Sequence, residues 1–214
     1  MNGEVRIVED VAGAFADLVA SEQPRSIALS GGTTARDCYE RLAAERVAWE
    51  DVAIFFGDER WVPVDDPESN EGMAREVLLD RVRPAAVHSM RGAGSTPEEA
   101  AAAYDALLHE HGPVALVHLG LGPDGHTASL FPGSGALEER DRLVVTNGDD
   151  AHPHLRLTFT FPAIAMSTLA VFTVAGDDKR DAFARVRAHD DVPAAHVTAG
   201  RVLWLVDPAT AGEK

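Results

Sequence analysis

Lysine is almost missing from this sequence: only Lys179 and Lys214 occur, and the other basic residues are arginines. Basic residues number 19 against 35 acidic ones, for a formal net charge of −16. That balance repels nucleic acid phosphates and anionic membrane surfaces, so neither is an expected partner. An anionic small molecule remains possible where the few cations are gathered locally, which makes the interior Lys179 a residue to follow. Cysteine is scarcer still. Cys38 stands alone and cannot form an internal disulfide, so a cytoplasmic location is expected. No apolar run approaches the ~20 residues needed to span a bilayer. The opening segment MNGEVRIVED has neither the basic start nor the apolar stretch of a signal peptide.

Apolar residues make up 45% of the chain and charged residues 25%, which excludes disordered and fibrous classes. At 214 residues the chain fits one domain, 1–214, able to bury roughly 70–75% of its unfolded surface. Short apolar or β-branched runs alternate with helical patterns. The expected strands are Val5–Val8, Ser26–Ser30, Val52–Phe56, Val114–Leu119, Leu143–Thr146, Arg156–Thr160, Leu169–Ala175 and Val202–Val206, with Val87–Met90 weaker. Between them, Val11, Phe15, Leu18 and Val19 share a helical face, and Met73, Val77, Leu78 and Val82 form another stripe. Thr96, Pro97 and Glu99 announce a helix start by capping box, with Gly112 at its end. This order predicts an α/β fold: one open, largely parallel sheet flanked by helices.

Three polar loops each follow an apolar strand: Gly31-Gly32-Thr33-Thr34, Gly57-Asp58-Glu59-Arg60, and the segment GLGPDGHTASLFPG from Gly120 to Gly133. Open parallel sheets bind ligands at the carboxyl ends of their strands, so the three are expected to converge on one crevice. Gly31, Gly32 and Thr33 suit either backbone binding of an anion or a tight turn with Thr34 as helix cap. Asp58, Glu59 and Arg60 read either as a solvated turn or as a site in which Arg60 grips phosphate or carboxylate. In RLTFTFPAI, Arg156, Thr158 and Thr160 face one way, and Arg156 is an anion ligand or an edge charge. Lys179 opens a helix in GDDKRDAF, where the dipole disfavours a cation unless an anion is near.

Gly120, Gly122 and Gly125 match the glycine pattern of dinucleotide-binding turns, but Pro132 and Gly133 arrive too soon for the long helix such a turn needs. The better reading presents His126 as a general base, with Asp124 orienting or polarising it. The pairs His109/His111 and His152/His154 read as surface residues. Ser129 follows His126 too closely to be its nucleophile.

LSGGTT, FFGDERWVP followed by SN, GLGPDGHTASLFPG, RLTFTFPAI and GDDK occur here in the order found in 6-phosphogluconolactonases, a family this chain resembles over essentially its whole length. The resemblance implies a single α/β domain related to sugar-phosphate isomerases, with no metal and no organic cofactor. It implies hydrolysis of 6-phospho-glucono-1,5-lactone in the oxidative pentose phosphate pathway by water attack on C1. It also implies that His126 is the general base and that Gly31, Gly32, Thr33, Arg60, Arg156 and Lys179 hold substrate and phosphate, beside Asp58. Thr34-Ala35 replaces the family's usual Thr-Pro here, and Ala195-His196 stands where a serine and a basic residue are common. Glucosamine-6-phosphate deaminases are similar but read DGHIAFNEP and DEY where this chain has DGHTASLFP and DER. A sugar-phosphate sensor would want the cations but not His126. The sequence leaves the oligomeric state open.

Overall fold

Strands that are apolar along their whole length belong in the middle of a sheet covered on both faces. The computed structural model, which describes residues 1–149 and 152–213, places SIAL, LVHL and LAVFTV in that position. In chain order the elements are β1 (Glu4–Ile7), α1 (Val11–Glu22), β2 (Ser26–Leu29), α2 (Thr33–Leu42), β3 (Ala53–Phe56) and β4 (Asp58–Arg60). Next come α3 (Asn70–Ala74), which runs through a π-helical stretch into α4 (Asp80–Val82), then β5 (Ala86–Val87), α5 (Pro97–His111) and β6 (Leu116–Leu119). The chain continues with β7 (Val144–Asn147), β8 (Arg156–Phe159), α6 (Phe161–Ala165) and β9 (Leu169–Val174). It closes with α7 (Arg180–Arg187), β10 (Arg201–Val206) and α8 (Pro208–Ala211).

Seven strands form one parallel sheet in the order β1-β10-β9-β6-β2-β3-β5. The order reverses between β2 and β6: the chain builds outward from β2 to β5, then returns to β2's other side. A crevice at the carboxyl ends of β2 and β6 follows from that reversal. The helices obey their end signals. Asp10 accepts the Gly13 N–H at 2.8 Å to start α1, and Gln23 ends it in the left-handed conformation. Thr96 accepts the Glu99 N–H at 3.2 Å, while the Glu99 carboxylate reaches back to Ser95 rather than to Thr96. No described helix is long and apolar enough to cross a membrane.

Three expectations need correction. Leu143–Thr146 and Arg156–Thr160 do not join the parallel sheet. They appear as β7 and β8 of a separate antiparallel sheet ordered β4-β8-β7. Asp58, Glu59 and Arg60 are not a solvated turn but strand β4, in which Asp58 is 5% and Glu59 1% exposed. Thr34 does not cap α2; Gly32, at φ +95°, occupies that position, and both threonines lie inside the helix.

The end of β2 is pinned from beneath. The Tyr39 hydroxyl accepts the Ser30 N–H at 2.7 Å, donates to the Ser30 carbonyl at 3.2 Å, and meets His118 Nδ1 at 2.8 Å. His118 Nε2 meets the Thr173 hydroxyl at 2.8 Å, so one buried chain of hydrogen bonds links β2, α2, β6 and β9. Burial pushes the His118 pKa down to about 3, which keeps that imidazole neutral. Tyr39→Phe removes the side-chain partner of the Ser30 backbone and of His118 Nδ1, and a loss of about 1–3 kcal/mol in urea unfolding is expected. An unchanged unfolding midpoint would contradict this account of the strand end.

Candidate active site

The loops after β2 and β6 flank the reversal, as the sheet order requires, and two adjoining cavities lie between them. The smaller, of 190 Å³, brings Gly31, Gly32, Asp58 and Arg60 together with His126, Arg156 and Lys179. The larger, of 520 Å³, shares Gly31, Gly32 and Lys179 and adds Thr33, with His118 and Thr173 among its other lining residues. Asp124 lines neither cavity; it stands behind His126. Lys179 ends a short 3-10 turn just before α7, and its ammonium lies 3.4 Å from the Asp178 carboxylate.

The loop from Gly120 to Gly133 contains no helix; it is a chain of tight turns. One carboxylate oxygen of Asp124 accepts both the His126 backbone N–H at 3.1 Å and the His126 Nδ1 at 2.6 Å. With the proton on Nδ1 so engaged, Nε2 carries the free lone pair. The ring lies flat over Gly122, where a Cβ would fall 2.1 Å from Nδ1, so only glycine fits beneath it. Gly125 adopts φ +92° and presents its backbone to Val192, where a Cβ would come within 2.7 Å of that side chain. The imidazole also lies near-perpendicular to the Phe131 ring at a centroid distance of 5.1 Å. Burial lowers the His126 pKa, against the opposing pull of Asp124 and Asp58. Burial alone would raise the Asp124 carboxyl, but its bonds to His126 hold it below the usual range.

Arg60 and Arg156 stand directly opposite one another across the β4–β8 ladder. Like charges at such a position repel. Burial lowers the Arg156 pKa, the neighbouring Arg60 charge lowers it further, and Asp58, 4.0 Å away, opposes both. The Nε atoms of Arg60 and Arg156 are both buried without a hydrogen-bond partner. Both guanidiniums line the smaller cavity, where such groups can receive an anion or a polarised oxygen. Arg156 is therefore no edge charge: its whole strand is buried, and the Thr158 hydroxyl accepts the Ser129 N–H at 3.1 Å.

Sequence reasoning missed four contributors. Glu59 is a buried cap whose carboxylate accepts from the backbone N–H groups of Arg60, Asn70 and Glu71, each at 2.8 Å. Asn70 then enters the smaller cavity. The Ser69-Asn70 pair, ten and eleven residues after Glu59, was visible as a motif, but its partner was not. Ser129 is no bystander, since its hydroxyl donates to Asp58 at 2.6 Å. His152 is half-buried rather than free at the surface: it stacks on Phe131 at 4.0 Å, lies near-perpendicular to the His126 ring at 5.5 Å, and contacts Asp149 through Nδ1 at 2.7 Å. Its spacing from His154 carries no trace of that stacking. His109 and His111 do lie at the surface.

Known proteins resemble this chain in sequence and in fold. The family model described as glucosamine-6-phosphate isomerases/6-phosphogluconolactonase matches residues 4–204. A 6-phosphogluconolactonase from Nostoc sp. is 41% identical over 213 residues, covering 92% of this chain and 88% of that protein. The crystal structure of a 6-phosphogluconolactonase from Leishmania guyanensis superimposes with a TM-score of 0.86 at 27% identity, covering 99% of this chain and 98% of the other. A monomeric glucosamine-6-phosphate deaminase shares the fold at TM-score 0.84 but is only 20% identical, over 99% and 100% of the two chains. The chain belongs to the glucosamine-6-phosphate isomerase/6-phosphogluconolactonase family.

Proposed function

We propose that this protein hydrolyses 6-phospho-D-glucono-1,5-lactone to 6-phosphogluconate, a step of the oxidative pentose phosphate pathway, with His126 as general base. The observation that carries the reading is His126, held by Asp124 through Nδ1, lining the same 190 Å³ cavity as two guanidiniums and Lys179. A δ-lactone is an activated ester, so its hydrolysis asks for a positioned water and a base rather than a protein nucleophile. His126 Nε2 takes a proton from that water as its oxygen attacks C1. The C1 oxygen then gains negative charge, and Arg60, which lines the cavity, stabilises it. Collapse breaks the bond from C1 to the ring oxygen, and the imidazolium returns its proton to that oxygen. Arg156, Lys179 and the Gly31–Thr33 turn bind the phosphate and fix the ring's orientation. The unpaired, buried Cys38 fits a reducing compartment such as the cytoplasm.

The deaminase reading is disfavoured by the residues after His126, where Thr127 and Ser129 are fully buried and tied to the fold. The Thr127 hydroxyl donates to the Gly120 carbonyl at 2.9 Å, and Ser129 serves Asp58. Purified protein is expected to accelerate lactone hydrolysis above the spontaneous background and to release no ammonia from glucosamine-6-phosphate. The converse result overturns the proposal.

His126→Ala is expected to lower kcat by about two to four decades while leaving the unfolding transition nearly unchanged. Unaltered turnover removes His126 from the mechanism. Because burial holds the His126 pKa below its ordinary value, the neutral base persists below pH ~6.5. The acid limb of kcat/KM is expected under that pH, falling about tenfold per unit once the imidazolium dominates. A limb well above pH ~7 contradicts the burial argument. Arg156→Ala and Lys179→Ala are expected chiefly to raise KM; a loss confined to kcat refutes their phosphate role.

A further inference from the structure

Asp58 and Arg60 lie two residues apart on β4, so their side chains share one face of the strand. A carboxylate and a guanidinium so placed ordinarily close into an ion pair, which would use up the donors that the C1 oxygen requires. Among the described residues Arg60 makes no ion pair with a carboxylate. Its Nη1 donates instead to the Asn70 Oδ1 at 2.8 Å and to the Glu68 carbonyl at 2.8 Å. Asn70 Nδ2 donates to the Asp58 carbonyl at 2.9 Å and to the Asp58 carboxylate at 3.2 Å. One primary amide therefore stands between the two charges, presenting its acceptor to the cation and its donors to the anion.

Resting on the lactone-hydrolase reading, we propose that Asn70 is a positioning residue: its amide spaces Arg60 from Asp58 and keeps the remaining guanidinium edge directed at the reacting carbonyl. Although Asn70 borders the cavity and is only 2% exposed, both Nδ2 hydrogens are already committed. It acts through Arg60 rather than by gripping the substrate. Two neighbours fix it from opposite sides. Glu59 Oε1 accepts the backbone N–H of both Asn70 and Arg60, which locks the two main chains to one atom. Gly31 leaves the amide room, since a Cβ at that position would fall 1.8 Å from Asn70 Oδ1. The contact also couples the Gly31–Gly32 turn to the guanidinium that works beside it.

Glu59 holds the backbone independently of the Asn70 side chain, so replacing that side chain is compatible with folding. The test is a double-mutant cycle on lactone hydrolysis with Arg60→Ala, Asn70→Ala and the double variant, each checked by thermal unfolding. Asn70→Ala is expected to lower kcat about 10- to 100-fold with KM little changed, yet to cost less than about 3-fold in the Arg60→Ala background. Equal losses in both backgrounds, or no loss in either, overturn the proposal. Asn70→Asp preserves the shape but offers Arg60 a carboxylate. It is expected to lower kcat at least as far, and full activity in this variant also overturns the proposal. Absence of lactone hydrolysis in the unmutated protein would refute the function itself and is thereby distinguished from a failure of the Asn70 argument.

Discussion

Two guanidiniums face each other across β4 and β8, largely removed from water and each with a buried, unsatisfied Nε. A folded protein does not hold that arrangement for its own stability, because burying like charges side by side is costly. An anionic ligand in the adjoining cavity would supply a counter-charge. Within the chain the Asp58 carboxylate comes no nearer to Arg156 than 4.0 Å. Asp58 is occupied by Ser129 and Asn70, and Glu59 is spent on backbone N–H groups.

The parallel sheet supplies the other half of the site through its topology. Because the strand order reverses between β2 and β6, the loops after those strands splay to opposite sides and leave a crevice. The small antiparallel sheet then carries Arg60 and Arg156 across its mouth. His126 belongs to neither sheet; its position comes from the turns around Asp124 and from the bare face of Gly122. Burial and charge thus act in opposite senses at one site. Desolvation disfavours the charged forms of both Arg156 and His126, and the Asp58 carboxylate opposes it at each.

Much of this was legible in the sequence. The convergence of three strand-terminal loops, the choice of His126 over a nucleotide-binding turn, and the local partnership with Asp124 all follow from short-range pattern. What escaped was non-local. Asp-Glu-Arg reads as a loop because nothing nearby shows that Arg156 will pair with Arg60, or that Glu59 will cap a helix eleven residues on. Leu143–Thr146 carries the same apolar signal whether it joins a parallel or an antiparallel sheet. His152 reaches the His126 ring only because Phe131 lies between the two segments that carry them. Side-chain type fixes what a residue can do, and these pairings across the chain decide which of those roles it takes.

The central claim is that the paired guanidiniums form an unfinished anion site, and thermal unfolding of Arg156→Met with and without 6-phosphogluconate tests it most directly. The account predicts a ligand-free midpoint at or above that of the unmutated protein, since removing one buried like charge relieves the repulsion, together with loss of the upward shift that the ligand produces in the unmutated protein. A ligand-free variant that melts well below the unmutated protein, or one that keeps the full shift, would contradict it.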